Sequence, residues 1–209
     1  MNIHPESGLP GPSRLEAFSD GVLAIAITLL VLEIKVPHLV APDDAREALA
    51  ALAALVALGP KFLGYLLSFL FIAVFWVNHH RFFRLVKQVD AGLLWVNILL
   101  LLALSFIPFP TGLIGEYPSN PTGLALFAIV LMVAGIAFNL MWRHAESRGL
   151  FHAHVSPALV KQAKAWGLVG PALYALAAAL AFALPGASWV LFVGLPLLYV
   201  FRRGERPGK

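Results

Sequence analysis

Of the 209 residues, 60% are hydrophobic and only 12% charged, with a mean hydropathy of +0.83, which excludes a soluble domain that must clothe itself in polar surface. The absence of cysteine excludes disulfide frameworks, Cys-ligated zinc and thiol catalysis, and leaves the redox compartment unread. A net charge of +4 would point to nucleic acid in a soluble chain, but these basic residues flank apolar runs, where they orient a membrane protein and imply no nucleic-acid partner.

Lipid is therefore the solvent. The run Leu66 to Phe75 is apolar on every face, whereas a barrel strand would alternate polar and apolar residues, so the spans are helices. Helices of about 20 residues leave room for roughly six spans and no appended catalytic domain. Residues 1–13 form a polar N-terminal segment expected in the cytoplasm, 14–203 a six-helix transmembrane channel domain, and 204–209 a cytoplasmic tail. The first apolar run ends in Glu33-Ile34-Lys35 without a small-residue cleavage site and does not read as a signal peptide.

The predicted spans are 14–36, 61–80, 90–113, 122–142, 165–184 and 187–203, punctuated by Pro37, Pro42, Gly59-Pro60, Pro118, Pro121, Pro157 and Pro185-Gly186. Between the first two, Asp43 to Leu58 is helical by composition but its apolar part is too short to span, which makes it an interfacial helix. Arg81, Arg84 and Lys87 lie between spans two and three, and Arg143, Arg148, Lys161 and Lys164 between four and five. Those loops are cytoplasmic by the positive-inside rule, and with Arg202, Arg203, Arg206 and Lys209 in the tail both termini are inside. Lys35, Arg46 and Lys61 on the outer side are a mild violation.

Helix one carries most of the information. Its uncharged stretch, Gly21 to Leu32, is too short to cross about 30 Å of hydrocarbon at about 1.5 Å per residue, so protein must shield its ends. Arg14, Glu16 and Asp20 occupy the inner end, Glu33 and Lys35 the outer; buried ionisable groups of this kind usually face a bundle interior or a water-filled cavity. At about 100° per residue, Arg14, Phe18 and Leu32 fall within about 20° of Ile25, with Leu29 and Thr28 to either side. Asp20 lies about 140° away, toward neighbouring helices. Periodicity alone leaves open whether the Ile25 face lines a pore or packs on a helix.

The string Arg14-Leu15-Glu16-Ala17-Phe18-Ser19-Asp20 matches the R-x-x-x-F-S-D signature of the endolysosomal potassium channel family (transmembrane protein 175) and its bacterial homologues. The resemblance continues in Trp76-Val77-Asn78-His79-His80-Arg81-Phe82, in Asn97 and in Ile107-Pro108-Phe109-Pro110-Thr111, covering roughly the first 115 residues. It implies an all-α homotetramer in which helix one lines a central pore, with constriction positions at Ile25, Thr28 or Leu29, and Leu32. It further implies a hydrogen-bonded network at the inner helix ends formed by Arg14, Ser19, Asp20, Trp76 and one of His79 and His80. The implied permeant ion is K⁺, and the compact form resembles the bacterial members, which places it in a plasma membrane.

No T-V-G-Y-G loop is present, so selectivity must come from side chains. Apolar rings of Ile25 and Leu32 would demand dehydration, which K⁺ tolerates better than Na⁺, and the Thr28 hydroxyl could replace some of the lost water. The competing reading is a proton-permeable or proton-coupled transporter using Arg14, Asp20 and His79 as a relay. His79-His80 could hold a metal only if adjacent helical residues did not diverge, and no cysteine completes the site; His152-Ala153-His154 with nearby His144 reads as a solvated loop, so no metal or cofactor is predicted. Asn97 and Asn139 read as interhelical hydrogen-bonding residues, Pro108 and Pro110 as a kink or stop in helix three. No nucleophile setting or phosphate-cradling loop points to an enzyme.

Overall fold

The computed structural model describes residues 11–37 and 45–201. Pro42, Asp43, Asp44, the tail cations Arg202, Arg203, Arg206 and Lys209, and nearly all of the 1–13 segment lie outside the described residues. Among those described the fold is all-helical. Helix α1 (Ser13–Leu29) runs into a 3₁₀ turn (Leu30–Glu33), and α2 (Ala45–Val56) is followed by α3 (Gly59–Phe83). Then come α4 (Ala91–Ser105), α5 (Pro108–Glu116), α6 (Pro121–Ser147), α7 (Pro157–Trp166), α8 (Val169–Ala183) and α9 (Pro185–Phe201).

Local chemistry sets these boundaries. Proline opens α5, α6 and α7 and sits at the start of α3, positions where its missing N–H costs nothing. Asp90, Asn120 and Ser156 cap α4, α6 and α7 by accepting the N–H of Leu93, Gly123 and Leu159. The third predicted span, 90–113, is broken rather than continuous. Pro108 and Pro110 cannot donate to the carbonyls of Leu104 and Phe106, so the chain turns tightly at Phe106-Ile107, and Ile107 N–H bonds Leu104 O at 3.2 Å. The helix then resumes as α5, because Thr111 N–H reaches Ile107 O at 3.1 Å. The predicted loop before span five is likewise partly helical. Its α7 is separated from α8 by a tight turn at Gly167-Leu168, so the helical stretch begins at Pro157, ahead of the apolar segment predicted from 165.

Five described stretches are long and apolar enough to cross a membrane: Ser13–Glu33, Arg46–Phe83, Ala91–Glu116, Pro121–Ser147 and Pro157–Ala183. The second joins α2 and α3, although the 25 residues of α3 already exceed the roughly 20 a span needs. Helix α9 is a shorter apolar helix in the position of the predicted sixth span.

The centre of the molecule is α6. Leu124, Phe127, Ala128, Leu131, Ala134, Ala137 and Met141 are fully buried along it, and its small residues let α8 pack closely on one side and α4 on another. Phe127 meets Phe71 and Phe192 edge-on, and Phe71 meets Tyr174. Helix α1 lies at the side of this bundle, against α3 and α4.

The ends of the helices sort cleanly. Lys87 N–H bonds Leu150 O and His152 N–H bonds Leu85 O, so the two basic loops meet at one end. At the other end Lys61 pairs with Glu116, and the Trp189 indole donates to Pro118 O.

Candidate site along the first helix

Helix α1 is held on one half only. Ser19, Leu23, Ala26 and Leu30, spaced i, i+4, i+7 and i+11, are all buried at 1% exposure or less. This is one helical face, and its small members Ser19 and Ala26 let the α1 backbone approach α3 and α4. The opposite half is uncovered although it is apolar: Phe18 is 56% exposed, Ile25 60%, Leu29 42% and Leu32 68%, and Arg14 and Thr28 are exposed with them.

The uncovered arc is wider than the stripe predicted from the wheel. It extends past Thr28 to Ala17 and Ala24, with Gly21 beside Thr28, all exposed. Ala17, Gly21, Ala24 and Thr28 again follow the i, i+4, i+7, i+11 spacing, so a second stripe of small residues flanks the large apolar one. A Cβ built at Gly21 meets nothing within 4 Å. Thr28 Oγ1 donates to Ile25 O at 2.9 Å; with its proton committed to the backbone, the hydroxyl presents its lone pairs outward.

Two hydrogen-bonded ties fasten the inner end. In the first, Ser19 Oγ donates to Leu15 O at 2.8 Å and accepts from Asn97 Nδ2 at 3.0 Å, while Asn97 Oδ1 accepts from His79 Nε2 at 2.8 Å. All three side chains are buried. An amide oxygen can only accept, so His79 carries its proton on Nε2, and its ring lies 4.6 Å from that of Phe83. Helices α1, α3 and α4 are joined through this chain. In the second tie, Trp76 Nε1 donates to Asp20 Oδ1 at 2.8 Å, at a more exposed position, and Trp76 stacks on His80.

The inner-end network expected from the resemblance is therefore two separate chains. His79 joins Ser19 and Asn97; His80 contributes only stacking; and Arg14 is in neither, standing on the exposed stripe.

At the outer end the 3₁₀ turn tightens α1, and Glu33 folds against α5. Its carboxylate lies over Gly112, where a Cβ would overlap it. Only glycine permits that approach. The buried hydroxyl pair Ser68 and Thr111, 2.6 Å apart, ties α3 to α5; Thr111 donates to Ile107 O, so Ser68 is the donor between them. Sequence reasoning did not single out Ser68, and nothing in an apolar run marks which serine has a partner.

Asp90 was also missed, though an Asp directly before an apolar helix is an N-cap signal. It accepts from His144 Nε2 at 2.8 Å and lies near Arg148. Burial pushes its carboxyl up, but the Leu93 N–H, the His144 hydrogen bond and the nearby positive charge together hold it below the usual range. Asn139 accepts from Arg143 Nε and donates to Lys164 O, joining α6 to α7.

Among the described residues no group of three or more His, Asp or Glu side chains is placed to hold a metal. His152 and His154 stack ring on ring 5.4 Å apart, and do not converge on a point.

A family description, endosomal/lysosomal potassium channel TMEM175, matches residues 14–108. A potassium channel of Chamaesiphon minutus is 42% identical over 186 residues, 85% of this chain and 87% of the relative. One of Streptomyces collinus is 35% identical over 199 residues, 93% of this chain and 94% of the relative. The crystal structure of a lysosomal potassium-selective channel TMEM175 homolog from C. minutus superposes with a TM-score of 0.78 at 38% identity, covering 91% of this chain and 96% of that one.

Proposed function

The chain belongs to the TMEM175 family of potassium channels, and from that premise we propose that it conducts K⁺ passively through a pore walled by α1. It is a multi-pass membrane protein and not an enzyme. The observation that carries the pore reading is the uncovered half of α1: an apolar stripe through Phe18, Ile25, Leu29 and Leu32 that its own subunit leaves open while tying down the opposite face.

Both halves of the arc find a use in a homotetramer. Around a four-fold axis each α1 presents one edge to the pore and one flank to the next copy. The Ile25 stripe suits the first role. The flank of Ala17, Gly21 and Ala24 suits the second, since small residues let helices approach closely where lipid offers no hydrophobic drive.

From Ile25 to Leu32 is about 10 Å of helix, so rings of Ile25, Leu29 and Leu32 form a short dry constriction. An ion passing it sheds water with little replacement, which penalises Na⁺ more than K⁺. Thr28 sits between the rings with its lone pairs free to meet a cation. Selectivity built this way is modest, and such rings can also close by dewetting. A proton relay through Arg14, Asp20 and His79 is disfavoured because Asp20 and His79 belong to different hydrogen-bonded chains and Arg14 to neither.

The orientation proposed is six spans, with residues 1–13 and 204–209 in the cytoplasm flanking a 14–203 channel domain, in a bacterial plasma membrane. The test is flux from proteoliposomes. An outward K⁺ gradient should drive sustained K⁺ efflux only when a protonophore is added to balance charge, as electrogenic conduction requires. Efflux that runs as fast without the protonophore would be electroneutral exchange and would replace the channel with a coupled carrier.

A further inference from the structure

Away from α1, a cavity of about 300 Å³ opens among α3, α6, the α7–α8 segment and α9. Four helical faces converge on it at helical spacing. Helix α3 contributes Phe71, Val74, Asn78 and Arg81; the α7–α8 segment contributes Leu159, Ala163, Trp166 and Gly170. The cavity is deep: Phe71 to Arg81 spans about 15 Å of helix. Its floor is apolar and aromatic, where Phe71 meets Tyr174. Its polar groups gather toward the end marked by the basic loops, with exposed Arg81 at the rim.

Helix α7 explains how this space is reached. Leu159, Ala163 and Trp166 line the cavity, while Lys164 on the same short helix pairs with Glu146. An amphipathic helix with Trp at its end and Lys on its polar side lies in the membrane–water interface. The mouth is thus at headgroup level, with an apolar shaft running inward and a guanidinium at the rim. A chain of about ten heavy atoms fills the volume, at roughly 30 Å³ each.

We propose that this cavity binds an anionic phospholipid of the cytoplasmic leaflet, one acyl chain in the shaft and the phosphate on Arg81. Basic pockets between helices on the cytoplasmic side recognise such headgroups, and a guanidinium matches a phosphate in geometry as well as charge. Another apolar groove, lined by Leu102, Phe106, Ile129 and Val133 among others, has no polar side chain among its described lining residues and serves as the control for non-selective lipid contact. The proposal rests on the orientation given above and not on conduction, so its readout is binding.

The probe is phosphatidylglycerol carrying a photoactivatable group on one acyl chain, applied to the purified full-length protein in detergent. Labelling should map to peptides containing Trp166 or Tyr199, and unlabelled phosphatidylglycerol should compete while phosphatidylcholine does not. Arg81→Gln should weaken that competition about fivefold, the worth of one basic residue at an anionic surface. Ala163→Phe should abolish labelling of the cavity, with its elution profile and thermal unfolding reporting that it is folded. Equal competition by phosphatidylcholine, or labelling confined to the Leu102–Val133 groove, would overturn the proposal on the wild-type protein alone. Competition by inorganic phosphate at the same strength would make the site one for a free anion and overturn the lipid assignment.

Discussion

At the proposed constriction Thr28 is the side chain that carries a hydroxyl among Ile25, Thr28, Leu29 and Leu32. Its hydroxyl satisfies Ile25 O and still turns lone pairs away from the subunit, whereas Ile25, Leu29 and Leu32 offer only hydrocarbon. Thr28→Ala should leave the pore open but lower the preference for K⁺ over Na⁺. Ile25→Asn should hydrate the proposed constriction, raise current and lower the same preference. Leu23 and Ala26, each 1% exposed on the far side of α1, are the counter-test. Leu23→Ala should cost about 2–5 kcal/mol of stability with no change in reversal potential. Bi-ionic reversal potentials in planar bilayers decide it: a shift in Leu23→Ala and none in the Ile25 and Thr28 variants would mean that α1 turns its other face to the ion. The residues of this contrast were legible from the 3.6-residue period, and the burial pattern separates the same two faces.

Elements are joined here by a few polar contacts set in apolar surroundings. Asp90 is the best case, since it caps α4 and also receives His144 from the end of α6. Gly92 makes room for that imidazole, which a Cβ there would strike. Because the folded carboxyl is held below its ordinary value of 3.8, its contribution is fully present above that value and is lost as pH falls through the lowered one. Asp90→Ala should therefore destabilise the protein by about 1 kcal/mol or more at pH 7 through the lost cap. Asp90→Asn keeps a capping oxygen and should retain part of the stability. Thermal unfolding in detergent should show the wild-type advantage over Asp90→Asn shrinking below pH 4; an advantage that grows on acidification would contradict the linkage. At the same scale the sequence marked Pro108 and Pro110 as a break in helix three, but whether the chain stops or resumes depended on Thr111 finding both Ile107 O and Ser68.

The described residues form a bundle centred on α6, with α1 at its side. Its two basic loops are bound together at one end and the Lys61–Glu116 pair stands at the other, which agrees with loops reading alternately inside and outside. The chain has no cysteine, so single cysteines can report sidedness. In intact cells a cysteine at Ser119 should react with a membrane-impermeant thiol reagent, and one at Ser147 only with a permeant one. The reverse pattern would invert the orientation.

Composition and apolar run length alone determined that the chain is a helical membrane protein, because a solvent without water leaves no other way to satisfy the backbone. Period and loop charge added the helix faces and the proposed orientation. Pairings between distant residues were decided only in three dimensions: that His79 rather than His80 meets Asn97, that Asp20 turns to Trp76, that Ser68 finds Thr111 across 43 positions. Adjacent residues on a helix point about 100° apart, and only the neighbouring helix determines which of them meets a partner. The lipid-sized cavity is of the same kind, since its walls come from four separate segments and no one of them signals it.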